Sequence, residues 1–148
     1  YISLLGTPPA RKSGDPQVVR GRQLFAQLSC NSCHTPQMTT GTNHPVAALR
    51  LQNFRPYSDM LLHDMGPGLA DNMDGEVATA AEWLTSPLVG IGLVSDAAGQ
   101  ESYLHDGRAT SIAEAILWHA GEAEESKEAI RQLPQSARED LVAFIRSL

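Results

Sequence analysis

The chain has 148 residues and a formal charge of −6, with 42% apolar but only 5% aromatic residues. That length fits one domain, or one domain with a tail from a neighbour, and is enough to bury a core. The acidic balance argues against a nucleic-acid partner, and no apolar run is long enough to span a bilayer as a helix.

Tyr1 to Leu5 reads as the last turn of a helix stopped by Gly6, and Thr7 to Gly14 as a linker. Residues 1–14 are therefore expected to be a linker or the end of a preceding domain, with residues 15–148 forming the domain itself. The chain starts on Tyr1 rather than methionine, as a partial or processed product would. This start is too short, and lacks the charged lead-in, to be a secretion signal.

Asp15-Pro16 opens a helix, with Asp15 as N-cap and Pro16 at the first helical position. Val18, Gly21, Leu24, Phe25 and Leu28 share one face. A glycine there predicts close packing against another helix, the last one being the natural partner through Phe144. The first helix delivers Cys30 on its final turn.

Cys30-Asn31-Ser32-Cys33-His34 follows. C-x-x-C-H is the attachment signature of a c-type haem. The two thiols add to the two vinyl groups as thioethers, and the next residue lies under the iron, so His34 is the expected proximal ligand. A redox dithiol would sit in a βαβ pattern, which is absent. A structural zinc site would need more than the two cysteines present. The expected cofactor is one covalent haem c, bound through Cys30 and Cys33, which leaves no cysteine for a disulfide. Its propionates would add negative charge and favour a basic electron partner.

Thr35 to Asn53 is loop-like, broken by Pro36, Gly41 and Pro45. His44 reads as exposed, and Met38 as surface or packing filler, an approach to the iron being its other reading. Met60 to Met65 is expected as a short helix or turn capped by Ser58. Gly66-Pro67-Gly68-Leu69 resembles the Gly-Pro-x-Leu segment of small c-type cytochromes. That segment passes the proximal histidine and offers a backbone carbonyl to its Nδ1; an ordinary turn is the other reading. Glu82 to Leu93 reads as extended chain draped over something flat. Tyr103 to Arg108 is a turn, followed by a helix with a capping box, Ser111 to Glu114. Ile112, Ala115, Ile116 and His119 share its inner face, and Gly121 stops it. A charged helix from Glu122 to Leu133 ends at Pro134. A last helix is expected from a second capping box, Ser136 to Glu139, with Leu141, Ile145 and Leu148 inward.

Phe54-Arg55-Pro56-Tyr57-Ser58-Asp59, His63 to Asp71, Leu104-His105-Asp106-Gly107-Arg108 and Glu114 to His119 together resemble one family. It is the C-terminal haem domain of the bacterial di-haem oxidoreductases (thiol oxidoreductase-like), related to di-haem cytochrome c peroxidases and MauG. The resemblance covers essentially the whole chain. It implies that His119 stands where relatives present the distal ligand, with Met65 as the runner-up. A buried histidine bonded to a backbone carbonyl is the structural alternative. His63 and His105 would line the pocket or bond a propionate. Arg55 and Arg108 are candidate propionate partners, since a guanidinium matches a carboxylate. Pro67 and Leu69 join the cofactor-binding set through the Gly-Pro-x-Leu likeness.

The expected architecture is an all-α cytochrome c fold around one covalent haem, with long loops. The expected function is one-electron transfer through a six-coordinate haem, in a periplasmic, di-haem peroxidase-like oxidoreductase. The redox partner would be a second haem domain of the same full-length protein, and this domain would not be catalytic alone. Two alternatives remain open. One is a five-coordinate peroxidase site with His105 or Glu114 as acid or base; the other is a haem-based sensor.

Overall fold

Asp15 accepts from the Gln17 N–H at 2.8 Å and Pro16 fills the first helical position, so α1 (Pro16–Gln27) starts where the sequence places it. The computed structural model describes residues 6–73, 75 and 77–148. The expected helical turn at Tyr1–Leu5 lies outside the described residues. Among the described residues four further helices follow: α2 (Val94–Ala98), α3 (Ile112–Trp118), α4 (Glu124–Arg131) and α5 (Gln135–Ser147).

The core lies between α1 and α5. Phe144 and Leu141 are almost fully buried, as are Val18 and Phe25 on the facing helix. Phe25 meets Phe144 edge-on, with ring centres 5.2 Å apart. Gly21 makes this crossing possible. A Cβ there would run into the Asp140 carbonyl and lie 2.7 Å from the Phe144 Cβ. Arg20 clamps the same crossing with two hydrogen bonds, 2.7 and 3.0 Å, to the buried Asp140 carboxylate.

The expectation of an all-α cytochrome c fold is not met: the architecture is mixed. Strands β1 (Met38–Thr39) and β2 (Asn53–Phe54) pair antiparallel, and so do β3 (Leu62–Asp64) and β4 (Glu82–Leu84). In the second ribbon Leu62 faces Leu84, His63 faces Trp83 and Asp64 faces Glu82. The stretch 60–65, expected as a short helix or turn, instead carries strand β3 at Leu62–Asp64. Met60 has φ 61°, in the left-handed region that a helix cannot accommodate. Ser58 does not cap a helix. Its fully buried hydroxyl accepts from the Met60 N–H at 2.9 Å and donates to the Thr85 carbonyl at 2.7 Å. The long loops carry backbone donors and acceptors that must find partners, and ribbon pairing supplies them where proline and glycine prevent a helix.

Two helix ends also differ. Helix α5 begins at Gln135 with Pro134 as its cap residue, so Ser136 lies inside the first turn and makes no cap bond. Helix α3 ends at Trp118, and His119 is the residue just past it, with extended backbone (φ −61°, ψ 130°).

Candidate functional site

A cavity of about 320 Å³ opens beside the α1–α5 core. Its walls are mainly apolar: Phe25, Leu69, Leu88, Ile112, Ile116 and Leu141 contribute. Cys30, Cys33, His34, Met65, His105 and His119 line the same cavity.

Ser29, at φ 60°, ends α1 and sends the chain into a single 3-10 turn, Cys30–Ser32. The motif cysteines therefore sit on this tight turn rather than on the helix. The His34 N–H donates to the Cys30 carbonyl at 3.0 Å, which winds the whole motif over one short arc. Burial pushes the Cys30 thiol up to about 11. Cys33 is also raised, by burial and then by the negative charges of Asp59 and Glu122. Redox dithiols work through a depressed thiol pKa, so this environment is the opposite of theirs.

His34 is held by a backbone carbonyl: its Nδ1–H donates to Tyr57 O at 3.0 Å. That carbonyl is not from the Gly66–Leu69 stretch. Gly66–Leu69 forms a turn, closed by Leu69 N–H to the Gly66 carbonyl at 3.3 Å. Its Leu69 is buried on the cavity wall, while Pro67 is exposed and off it. Tyr57 was not legible as the partner. It has φ 53°, an uncommon conformation for a bulky residue, and its ring is fixed edge-on between Phe25 and Phe144 at 6.0 and 5.9 Å.

His119 is held in the same manner. Its Nδ1–H donates to the Ala115 carbonyl at 2.8 Å, one turn back in α3. The two imidazole ring centres lie 6.5 Å apart, with planes inclined at 47°. With Nδ1 of each ring committed to a carbonyl, Nε2 is the free nitrogen on both. Burial lowers the pKa of both imidazoles, which keeps them neutral, the form that binds a metal. The donor set and the apolar walls fit a haem, for which His34 and His119 offer imidazole nitrogens.

The other expected residues are distributed as follows. Met65 lines the cavity. His105 lines it too, stacked on Trp83 at 4.8 Å, with Nε2 2.8 Å from the Leu84 carbonyl. Trp83 donates its indole N–H to Leu69 O at 3.0 Å; of the stretch expected as extended chain, Glu82–Leu84 is a strand and Ile91–Leu93 is a 3-10 turn instead. Arg108 does not line the cavity. It donates to the Asp106 carboxylate and to the Gly68 carbonyl at 2.6 Å, and lies over Trp118 at 4.9 Å. Arg55 is exposed and lines a separate cleft with Pro8, Pro9 and Leu148. The Glu114 carboxylate accepts from Thr110 N–H and hydroxyl at 2.7 and 2.8 Å, as a capping group.

A further cluster escaped the sequence reading. His63 Nδ1 lies 2.8 Å from Glu122 and Nε2 2.8 Å from Asp59. Hydrogen bonds to Glu122 and then Asp59 raise the His63 pKa. Glu122 is held low by His63 and by the Asp64 N–H. Burial works against Asp59, yet bonds from the Leu61 N–H and His63 leave it lowered overall. Ligand atoms of Cys33, Asp59 and His63 all lie within 4.8 Å of one another. His63 and Glu122 are 59 positions apart in sequence, so no local spacing announces the cluster.

An apolar cavity lined by two neutral imidazoles and by both cysteines of a C-x-x-C-H turn defines a haem-binding site. The comparison with family models agrees. The model described as "Di-haem oxidoreductase, putative peroxidase" matches residues 1–148, and the chain belongs to that family. It is thus a haem-binding member of an oxidoreductase family. No curated protein matches. Among solved structures, a xenon-pressurised hydrazine synthase of Kuenenia stuttgartiensis is similar, with a TM-score of 0.62 and 19% identity. The match covers 100% of this chain and 52% of that one, so this chain spans about half the length of its structural relative. At that identity the likeness concerns the fold. Among the described residues, no helix is long and apolar enough to cross a membrane.

Proposed function

We propose that this chain is a one-electron transfer unit built on a single c-type haem. Cys30 and Cys33 would hold the group by thioethers, and His34 and His119 would offer the iron their free imidazole nitrogens. The observation that carries the reading is the pair of imidazoles, 6.5 Å apart across one cavity, each with Nδ1 tied to a backbone carbonyl. When bound, the haem supplies one-electron chemistry by cycling its iron between two oxidation states.

The chain's residues do the rest. The Tyr57 and Ala115 carbonyls fix the tautomer and the orientation of the two rings and raise their basicity as ligands. The apolar walls exclude water. With an imidazole from His34 and one from His119 both held for the metal, a substrate would have no place on it, which favours electron transfer over a peroxide-reacting site. The family's two-haem character, set against one C-x-x-C-H motif here, supports a second haem domain of the same full-length protein as redox partner. Covalent haem attachment of this kind supports a periplasmic setting.

Chain matured in a periplasm should keep its haem through acid–acetone extraction. Its ferric spectrum should be low-spin, without the weak near-infrared band of sulfur ligation. His119→Ala should give a high-spin or water-ligated form that binds cyanide faster. If that variant keeps the wild-type spectrum and Met65→Ala turns high-spin, Met65 is the ligand. Haem that extracts freely defeats the covalent reading.

A further inference from the structure

We propose that Lys127 holds a haem propionate at the rim of the cavity, a step that rests on the haem reading above. An apolar cavity suits the ring of such a group, but the two carboxylates on its edge need a cationic partner. Among the described residues that line the cavity, Lys127 is the one lysine or arginine. Its side chain is only 15% exposed, so its stem lies along the wall and little more than its end reaches solvent.

The ammonium is placed without being used up. Its partners are Glu124 at 2.7 Å and Glu128 at 3.9 Å, both on its own helix, with side chains 49% and 40% exposed. Such exposed pairs along a helix are weak and screened by salt. A lysine has three donors, and one hydrogen bond to Glu124 is formed. Asp106, Glu122 and Glu125 also line the cavity, and each would repel a carboxylate, which makes one cation there more telling.

The rival cations are accounted for. Arg108 is committed to Asp106 and the Gly68 carbonyl and stands off the cavity wall. Arg55 belongs to the other cleft. His63 is gripped by two carboxylates and grouped with Cys33. That is the edge where a vinyl group would be attached, and the propionates occupy the pyrrole rings opposite the vinyl-bearing ones.

The test uses the full haem-loaded chain, with Lys127→Met, Lys127→Arg and Arg108→Met. Resonance Raman reads the propionate bending band, and spectroelectrochemistry reads the midpoint potential. Lys127→Met should shift the band and lower the potential, because removing a nearby cation favours the ferric form. Lys127→Arg should restore both, and Arg108→Met should leave the propionate band unchanged. If Lys127→Met fails to load haem, Lys127→Gln is read in its place. An unchanged band and potential in the uncharged variant, or a shifted band in Arg108→Met, overturns the proposal. A wild-type chain without covalent, low-spin haem would instead defeat the reading on which it rests, so the two failures are distinguishable.

Discussion

At the scale of single residues, His63 shows how a polar side chain beside an apolar cavity is stabilised in its charged form. Two carboxylates at 2.8 Å grip the ring from both sides. Its folded pKa is raised above the unfolded value of about 6.5. The native state therefore binds the proton more tightly than the unfolded chain does. This contribution to stability is fully present below about pH 6.5 and is lost as the pH rises through the raised folded pKa. His63→Gln removes the ionisation. The gap in melting temperature between wild type and variant should be largest near pH 6 and should shrink towards alkaline pH. A gap that instead widens with rising pH would show that His63 is held neutral. A pH series of thermal melts on the haem-loaded chain decides it.

At the scale of elements, the crossing of α1 and α5 depends on one missing side chain. A Cβ at Gly21 would meet the backbone of Asp140, which cannot swing away as a side-chain tip can. Gly21→Ala gains helix propensity, by about 1 kcal/mol at most. Overpacking costs about 1–3 kcal/mol, and the backbone contact places this site at the upper end. The variant should melt lower than wild type, while its haem spectrum stays the same. An equal or higher melting temperature would mean that the helices separate freely at this point. The crossing was legible in sequence because helical periodicity repeats over several turns: Val18, Gly21 and Phe25 already marked one face, and Phe144 the other. The ribbon of β3 and β4 was not. Three residues per strand are too few to show alternation, and their pairing joins positions about twenty apart. The Tyr57 carbonyl was hidden for a different reason. A backbone acceptor has no side-chain signature, and its aim depends on a left-handed residue that sequence does not mark as glycine would. His119 was legible because it continues the inner face of α3, although the helix itself stops one residue earlier.

At the scale of the whole molecule, the question is what this chain can do by itself. A peroxide-reacting site needs an open position on the metal and a side chain able to take and return a proton. On the ligation proposed above the first requirement is not met, since His34 and His119, with ring centres 6.5 Å apart, would take both positions on the metal. The second fares no better. Glu114 is spent on Thr110 as a helix-capping group. His63 is locked between Asp59 and Glu122, and His105 lies with Nε2 against the Leu84 carbonyl. Purified haem-loaded chain should therefore show little peroxidase turnover, measured with a chromogenic reductant and corrected for free haem. Opening the metal with His119→Ala should speed cyanide binding far more than peroxide turnover, because ligand binding needs only the vacant position whereas turnover also needs the proton donor. Robust turnover by the wild-type chain with its haem intact would place the reactive centre here and reverse the assignment of this domain to electron transfer.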